Sequence, residues 1–326
     1  MTVAVYLKAV PFDKSLVTLA LESGADGVVV EQDRFGEVQA LGRIDTVAPS
    51  EFCTRSLHCK EDEETAAREL GEGKTVLLEQ GWEVIPVENL LASNSGRLGL
   101  EVDSLDQARL AATILERGAD FLVLRTPGAP ELKRIVEEIK LSRGRFELEQ
   151  AEVTEIRAVG LGHRVCVDTC SLLRSGQGLL VGNSSGFTFL VHAETEDNPY
   201  VNARPFRINA GAVHSYVLLP GDRTAYLEEL RAGGDVLVVD SSGETSIAAV
   251  GRVKVEIRPL LLISARTASG RSGQVFVQNA ETIRLLDPDL APASVVSLSP
   301  GDEVLVRTDT AGRHFGRRIQ ETIEEK

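Results

Sequence analysis

Cysteine, basic patches and long apolar runs are what this sequence has least of. Four cysteines are spread over 326 residues, too few for a disulfide framework, and their thiols are expected to stay reduced. No stretch approaches the roughly 20 apolar residues that a helix needs to span a bilayer, so no membrane segment is expected. The opening MTVAVYLKAVPFDKS lacks a basic segment followed by a long apolar one, which argues against export and for a cytoplasmic protein. Lysine and arginine total 35 against 49 aspartates and glutamates, a net charge of −14. With no basic stripe to neutralise a phosphate backbone, nucleic acid is set aside as a partner. A small anionic substrate stays open, because a local pair of arginines can hold a carboxylate inside an acidic protein. A homo-oligomer is left open as well.

What is present is a soluble-type composition, 43% apolar and 26% charged, in a chain long enough that two cores are expected. Residues 1–150 alternate short apolar runs with amphipathic stretches: VAVYLKA before SLVTLALESGA, then GVVVE; EDEETAAREL before KTVLLEQ; SLDQARLAATILERGA before DFLVLRT. That rhythm predicts a βα-repeat domain, either an open parallel sheet or an incomplete barrel. Functional groups in such folds gather at the carboxyl ends of strands, which nominates Lys8, Glu31, Glu79, Glu88, Glu101 and Arg125. Near residue 146 the helical period fades. Residues 151–326 predict a β-rich domain, with hairpin turns at SSGET and ASGRSG and one helical exception at RTAYLEELRAG. The fold class is therefore mixed, α/β followed by β-rich, or α+β overall.

The stretch RVCVDTCSLLRSGQGLLVG, Arg164 to Gly182, carries the first candidates. Cys166 and Cys170 have neither zinc-ribbon nor thioredoxin spacing and read as packing. Alternation along a strand would put Cys166, Asp168 and Cys170 on one face. Asp168 is expensive to bury unless paired, so it reads as functional or as half of a buried pair. Gly176, Gly178, Gly182 and Gly186 lie between strands and not at a strand-to-helix junction, so neither Rossmann nor Walker chemistry follows from them. Two readings of them remain, close backbone approach or amides that hold an anion.

The densest polar cluster is LVHAETEDNPYVNARPFRINAGAVHSYV. His192 and Glu194 alternate onto one face, suiting a metal or an acid–base pair, while Arg204 and Arg207 suit a grip on a carboxylate. Asn209 and His214 follow. Cys53, His58 and Cys59 lie in polar surroundings with too few soft ligands for a metal cluster. The Arg313-His314-Phe315-Gly316 run either completes a site or closes the last turn.

At RVCVDTCSLLRSGQGLLVG, EDNPYVNARPFRINAGAVHSYV, GRVKVEIRPLLLI, QNAETIRL and RHFG the chain resembles the 3-dehydroquinate synthase II family, with a looser match at VYLKA and ALESGADGVVVE. The resemblance implies oxidative deamination of 2-amino-3,7-dideoxy-D-threo-hept-6-ulosonate with NAD, then cyclisation to 3-dehydroquinate in the early shikimate route. It equally implies a side branch that makes an aminohydroxybenzoate with a divalent metal such as Mn²⁺ and no net redox step. A non-catalytic binding protein on the same β-rich module is the third reading. Fitted to this chemistry, Lys8 is expected as base or imine former. Asp168, His192, Glu194 and His214 are the further catalytic candidates, with His192 and Glu194 as metal ligands in the side branch. Arg204, Arg207 and Asn209 would bind substrate, and Gly176, Gly178 and Gly182 the cofactor. NAD itself rests on the resemblance, since no dinucleotide fingerprint is present.

Overall fold

Apolar strands alternate with amphipathic helices through the first part of the computed structural model. It describes residues 3–309, apart from 94–95, 116, 126–127, 142–144 and 222, together with 312–314 and 317–319. Two compact units are formed, Met1–Lys140 and Leu141–Lys326. In the first, the strands are β1 (Ala4–Lys8), β2 (Gly27–Val29), β3 (Asp45–Val47), β4 (Cys53–Arg55), β5 (Val76–Leu78), β6 (Leu98–Val102) and β7 (Phe121–Arg125). The helices are α1 (Lys14–Ser23), α2 (Phe35–Leu41), α3 (Lys60–Gly71), α4 (Val84–Ser93), α5 (Leu105–Thr113) and α6 (Ala129–Leu141). Local chemistry sets their ends. Asp13, for example, caps α1 by accepting from the Ser15 and Leu16 amides, and Gly24 closes it at φ 73°, caps worth about 1 kcal/mol each.

All seven strands are parallel, in the order β3-β2-β1-β7-β6-β5-β4. Read around a circle this is sequence order with one seam open between β3 and β4, a curled half-barrel. The incomplete-barrel expectation is met. Alternation assigns two faces to the sheet. Val5, Leu7, Val28, Leu78, Leu100, Leu122 and Leu124 pack with helix residues such as Val17, Leu70, Leu90 and Ile135. The opposite, inner face carries Tyr6, Val29, Leu77, Phe121 and Val123, with Phe52 against them. Glycine is required beneath two of these rings: a Cβ on Gly27 would run into Tyr6, and one on Gly99 into Phe121. Two expectations need correction. Glu88 lies in helix α4 and not at a strand end, because Val84, Val87 and Leu91 recur at helical spacing. CTR, expected as polar loop, is the edge strand β4.

The second unit is built from strands. They are β8 (Glu149–Thr169), β9 (Gln177–Ser184), β10 (Phe187–Glu194), β11 (Arg204–Ala212), β12 (Tyr216–Leu219), β13 (Arg223–Tyr226) and β14 (Asp235–Asp240). β15 (Thr245–Thr267), β16 (Ser272–Gln278), β17 (Arg284–Leu286), β18 (Pro292–Ser294) and β19 (Glu303–Thr308) follow, with a last hairpin of β20 (Gly312–His314) and β21 (Arg317–Ile319). The spine is the antiparallel pair β8 and β15, of 21 and 23 residues. SSGET and ASGRSG make the turns that lead into and out of β15, with Gly243 and Gly270 both at φ 86°. Val165, Val167, Val181, Phe189, Val191, Ile208 and Val238 form this unit's core. The helix expected at RTAYLEELRAG does not form. Residues 223–226 pair with β12 as β13, and only a short 3-10 turn, Leu227–Glu229, follows. Five residues of helical pattern cannot outweigh a ready antiparallel edge.

Candidate active site

The carboxyl ends of the parallel strands bring three charged side chains together on the inner face. Lys8 of β1 and Arg125 of β7 are register partners, and Glu101 of β6 lies opposite Val123, so all three project to the same side. Lys8 Nζ is 2.5 Å from Glu101 Oε1, and Arg125 Nη1 is 3.9 Å from Glu101 Oε2. The carboxylate is buried at 1% exposure, whereas Lys8 and Arg125 keep 30% and 48% of their side chains accessible. The Lys8 and Arg125 side chains are thus two accessible cations about one buried anion, and Arg125 is the group there that suits a ligand carboxylate. Trp82 Nε1 donates to the Glu101 carbonyl at 2.9 Å, and Arg125 Nη1 donates to Gln80 Oε1 at 3.1 Å. Gln80 in turn donates to Asp103, and Ser56 to Glu79. Glu31, just after β2, has a buried Oε2 with no hydrogen-bond partner among the described residues. A ligand hydroxyl or ammonium would satisfy it.

The arrangement has two chemical capacities. A lysine fixed by a buried carboxylate at a strand end presents its nitrogen at a defined place, as a nucleophile or base requires. Arg125, tethered through Gln80, can orient a carboxylate beside it. Of the nominated strand-end residues, Lys8, Glu101 and Arg125 are joined directly, and Glu31 and Glu79 stand at the ends of neighbouring strands.

In the second unit a charged layer covers the face of β15, β8, β11 and β10 that points away from that unit's core. Asp168 is its hub: Arg207 grips it through Nε at 2.7 Å and Nη2 at 2.8 Å, and Arg252 approaches Oδ2 through Nε at 2.8 Å. Burial alone would raise the Asp168 carboxyl, but the Arg207 and Arg252 guanidiniums outweigh it and hold it below the usual range. The buried-pair reading of Asp168 is thus met. Arg204 Nη2 lies 2.6 Å from Glu194 Oε2, though off the line of a good hydrogen bond. Burial raises Glu194 against that opposing charge. Arg164 reaches Glu256 at 2.8 Å and also meets the Cys166 thiol, which burial pushes up. Cys170 falls past the end of β8 and is exposed, so only Cys166 and Asp168 share the expected face. Asn209 donates to Gln278 at 2.9 Å. His214 stands apart, with its ring edge against Phe276.

Several expectations change here. Arg204 and Arg207, expected to grip substrate, are each already paired with a buried carboxylate, so neither presents a bare guanidinium. Gly176, Gly178 and Gly182, expected at a cofactor, are explained by the sheet. The Gly176 amide donates to His192 Nε2 at 2.8 Å. A Cβ on Gly178 would run into the Val191 carbonyl, and one on Gly182 into that of Phe187. Gly178 and Gly182 are close-approach glycines within β9 and Gly176 a turn glycine at φ 87°, its amide already used, so they do not fit a dinucleotide's phosphates. The metal pairing of His192 with Glu194 fails for a similar reason, since the Gly176 amide occupies His192 Nε2 while Glu194 turns to Arg204. Among the described residues no group of three His, Cys, Asp or Glu side chains is placed to hold a metal ion. The His58 and Cys59 amides are held by Asp62 at the start of α3. Arg313 and His314 belong to β20, and Phe315 and Gly316 lie outside the described residues.

His192 carries a testable consequence. At 2% exposure its ring is buried, and burial lowers its pKa from 6.5 to about 4. With Nε2 accepting from Gly176, the ring proton belongs on Nδ1, which faces the Ala193 backbone without a well-aligned bond. The unfolded chain therefore binds a proton near pH 6.5 that the folded chain refuses until about pH 4. Stability is complete above this window and falls through it on acidification, by about 3 kcal/mol in all. Urea midpoints measured between neutral pH and pH 4 are expected to show this slope, and His192→Gln, which keeps an acceptor for Gly176, is expected to flatten it.

Fold and rim define an α/β protein of the incomplete-barrel class, with a cluster of charged side chains at the carboxyl ends of parallel strands and a strand-rich unit later in the chain. The chain belongs to the 3-dehydroquinate synthase II family. Residues 3–139 match that family's N-terminal domain and residues 150–326 its C-terminal domain. It is 47% identical over 324 residues to a 3-dehydroquinate synthase homolog of Aquifex aeolicus, covering 97% of each chain. It is 45% identical over 331 residues to the 3-dehydroquinate synthase of Methanoregula boonei, covering 98% of this chain and 99% of that one. The 3-dehydroquinate synthase of Methanocaldococcus jannaschii is 41% identical over 346 residues, at 96% of each. Among solved structures, an alanine racemase of Clostridium difficile in complex with cycloserine is 12% identical with a TM-score of 0.22 over 94% of this chain and 79% of that one, too low to indicate a shared fold. No helix among the described residues is long and apolar enough to cross a membrane.

Proposed function

We propose that this chain is a 3-dehydroquinate synthase that converts 2-amino-3,7-dideoxy-D-threo-hept-6-ulosonate to 3-dehydroquinate, with Lys8 at the reacting centre. The observation that carries the reading is the Lys8–Glu101 pair beside Arg125 on the inner rim of the half-barrel, in a chain whose relatives bear that enzyme's name. The net reaction consumes NAD and water. By redox balance C2 would end as the 2-oxo acid, with water replacing the nitrogen, which leaves as ammonia, and NAD would supply the two-electron oxidant. No residue is assigned to NAD, because the glycines expected to cradle it do not fit, and NAD enters through redox balance and family.

Ring closure is where the rim residues act. Glu101 takes the proton that the Lys8 ammonium must shed, and the freed amine adds to the C6 ketone and expels water as an imine. The imine acidifies the neighbouring methyl carbon C7, which loses a proton and adds to the C2 carbonyl; the C2 oxygen takes up a proton and hydrolysis of the imine frees Lys8. Arg125 holds the substrate carboxylate beside the forming bond.

The test supplies the amino-ulosonate with NAD and follows NADH absorbance, ammonia and the mass of dehydroquinate. Equimolar NADH and dehydroquinate are expected. An aminohydroxybenzoate formed with Mn²⁺ from the related amino sugar acid phosphate, without NADH, would move the chain to the family's side branch, and no product under either condition would refute an enzymatic role.

A further inference from the structure

The middle of β15 is an open sheet edge, and its sequence is complementary to itself. One side of β15 pairs with β8 along nearly its whole length. On the other side β14 covers residues 245–249 and β16 covers 260–266. The flanks are closed further by backbone bonds from the Gly233 N–H to the Val250 carbonyl, from the Val250 N–H to the Gly234 carbonyl and from the Asn279 N–H to the Pro259 carbonyl. Between them residues 251–258, GRVKVEIR, have no strand beside them among the described residues. Such an edge is a template for another strand.

Its two faces differ. Val253, Val255 and Ile257 alternate onto one face, which continues through the β8 register partners His163 and Leu161. Val253 joins the core, but Val255 is 45% exposed, Ile257 56% and Leu161 75%, a row of apolar side chains left in water. The other face carries Arg252, Lys254, Glu256 and Arg258. A second copy laid antiparallel along this edge, with the two-fold axis through Val255, would set Val255 against itself, Val253 against Ile257, and Lys254 against Glu256. Both apolar and charged faces match under that one operation. The remaining pair, Arg252 against Arg258, is offset because Arg252 is bound to Asp168, and Arg258 to Glu256 at 2.9 Å. Pro259, which has no N–H to donate, sits where the ladder would end.

We infer that this chain forms a two-fold symmetric dimer by joining the β15 edges of two copies over residues 251–258. Pairing satisfies the outward backbone groups, removes the Val255 and Ile257 side chains from water, and closes as an isologous pair that cannot grow into a fibre. The partner's Glu256 gains Lys254, which already reaches its own chain's Glu256 at 3.0 Å.

Sedimentation or light scattering on the full chain at micromolar concentration is expected to give a dimer, and Val255→Glu, which places two carboxylates on the axis, a folded monomer by circular dichroism. Register is read by cross-linking in a Cys59→Ser, Cys170→Ser background, which removes the exposed thiols. Directly opposed antiparallel residues have Cα atoms about 5 Å apart, within disulfide reach. Mild oxidation is therefore expected to couple Val255→Cys to its copy. Ile257→Cys would lie four residues out of register from its copy, about 13 Å along the strand, and is expected to stay reduced, while a mixture of Val253→Cys and Ile257→Cys chains couples. A native monomer, a dimer that persists in Val255→Glu, or Ile257→Cys coupling as readily as Val255→Cys would each overturn the inference.

Discussion

Replacing Lys8 by arginine is expected to lower kcat for dehydroquinate formation by about 10³-fold or more, the range associated with losing a group that moves a proton or bonds to substrate. Arginine is the informative substitution because it keeps a cation beside buried Glu101 and so preserves the ion pair, yet it does not yield an amine. Lys8→Met removes the cation as well and leaves a 1% exposed carboxylate facing only Arg125 at 3.9 Å, so that variant confounds chemistry with folding. Borohydride added during turnover should reduce the imine and fix the substrate skeleton to Lys8, detectable as a mass increase on the peptide that contains VYLKA. A Lys8→Arg protein that cyclises at the native rate would remove Lys8 from the chemistry. A native protein that never traps, with Lys8→Arg inactive, would leave Lys8 as a base acting on the methyl carbon.

The second large effect belongs to Asp168. Asp168→Asn is expected to destabilise the second unit by about 3 kcal/mol, read as a lowered urea or thermal midpoint. Most of that weight falls on Arg207, whose side chain is 12% exposed and would be left buried without a counter-charge. Arg252, at 62% exposed, is screened by solvent and contributes little. The pH dependence has a definite sign. Because the folded carboxyl lies below its ordinary range, its contribution is present above the unfolded carboxylate value and is lost only as pH falls through the depressed one. The native protein should therefore show an acid-side loss near and below pH 4 that Asp168→Asn lacks. Equal midpoints for the two proteins at neutral pH would show the arginine grip to be dispensable.

The half-barrel was legible because the inner parallel strands β1, β2, β5, β6 and β7 are short, largely buried apolar runs and helices such as α1, α3 and α5 show amphipathic spacing, whereas the polar edge strand β4 was missed. The strand-end rule placed five of its six nominees at or within two residues of the ends of β1, β2, β5, β6 and β7. Glu88 failed because an apolar run containing proline reads alike as strand end or first helical turn. The pairing of Lys8 with Glu101 was hidden, since the two are 93 residues apart and the lysine reaches across β7, which lies between β1 and β6. In the second unit, spacing identified Asp168 and the arginines but not their ties to one another. Cross-strand register decides that, and register depends on bulges such as those at Ala193/Glu194 and Asn209/Gly211. The glycines misled for a related reason: a glycine that lets two strands touch looks, in one dimension, like a glycine that lets a phosphate approach.

The aromatic layer of Tyr6, Phe52 and Phe121 has a consequence for reagents other than substrate. With Gly27 and Gly99 giving up their own volume to these rings, the inner face beside Lys8 is packed with aromatic side chains. Lys8, one of eight lysines in the sequence, is therefore held between a charged rim and an apolar floor, and it is the end of its side chain beside Glu101 and Arg125 that a reagent reaches.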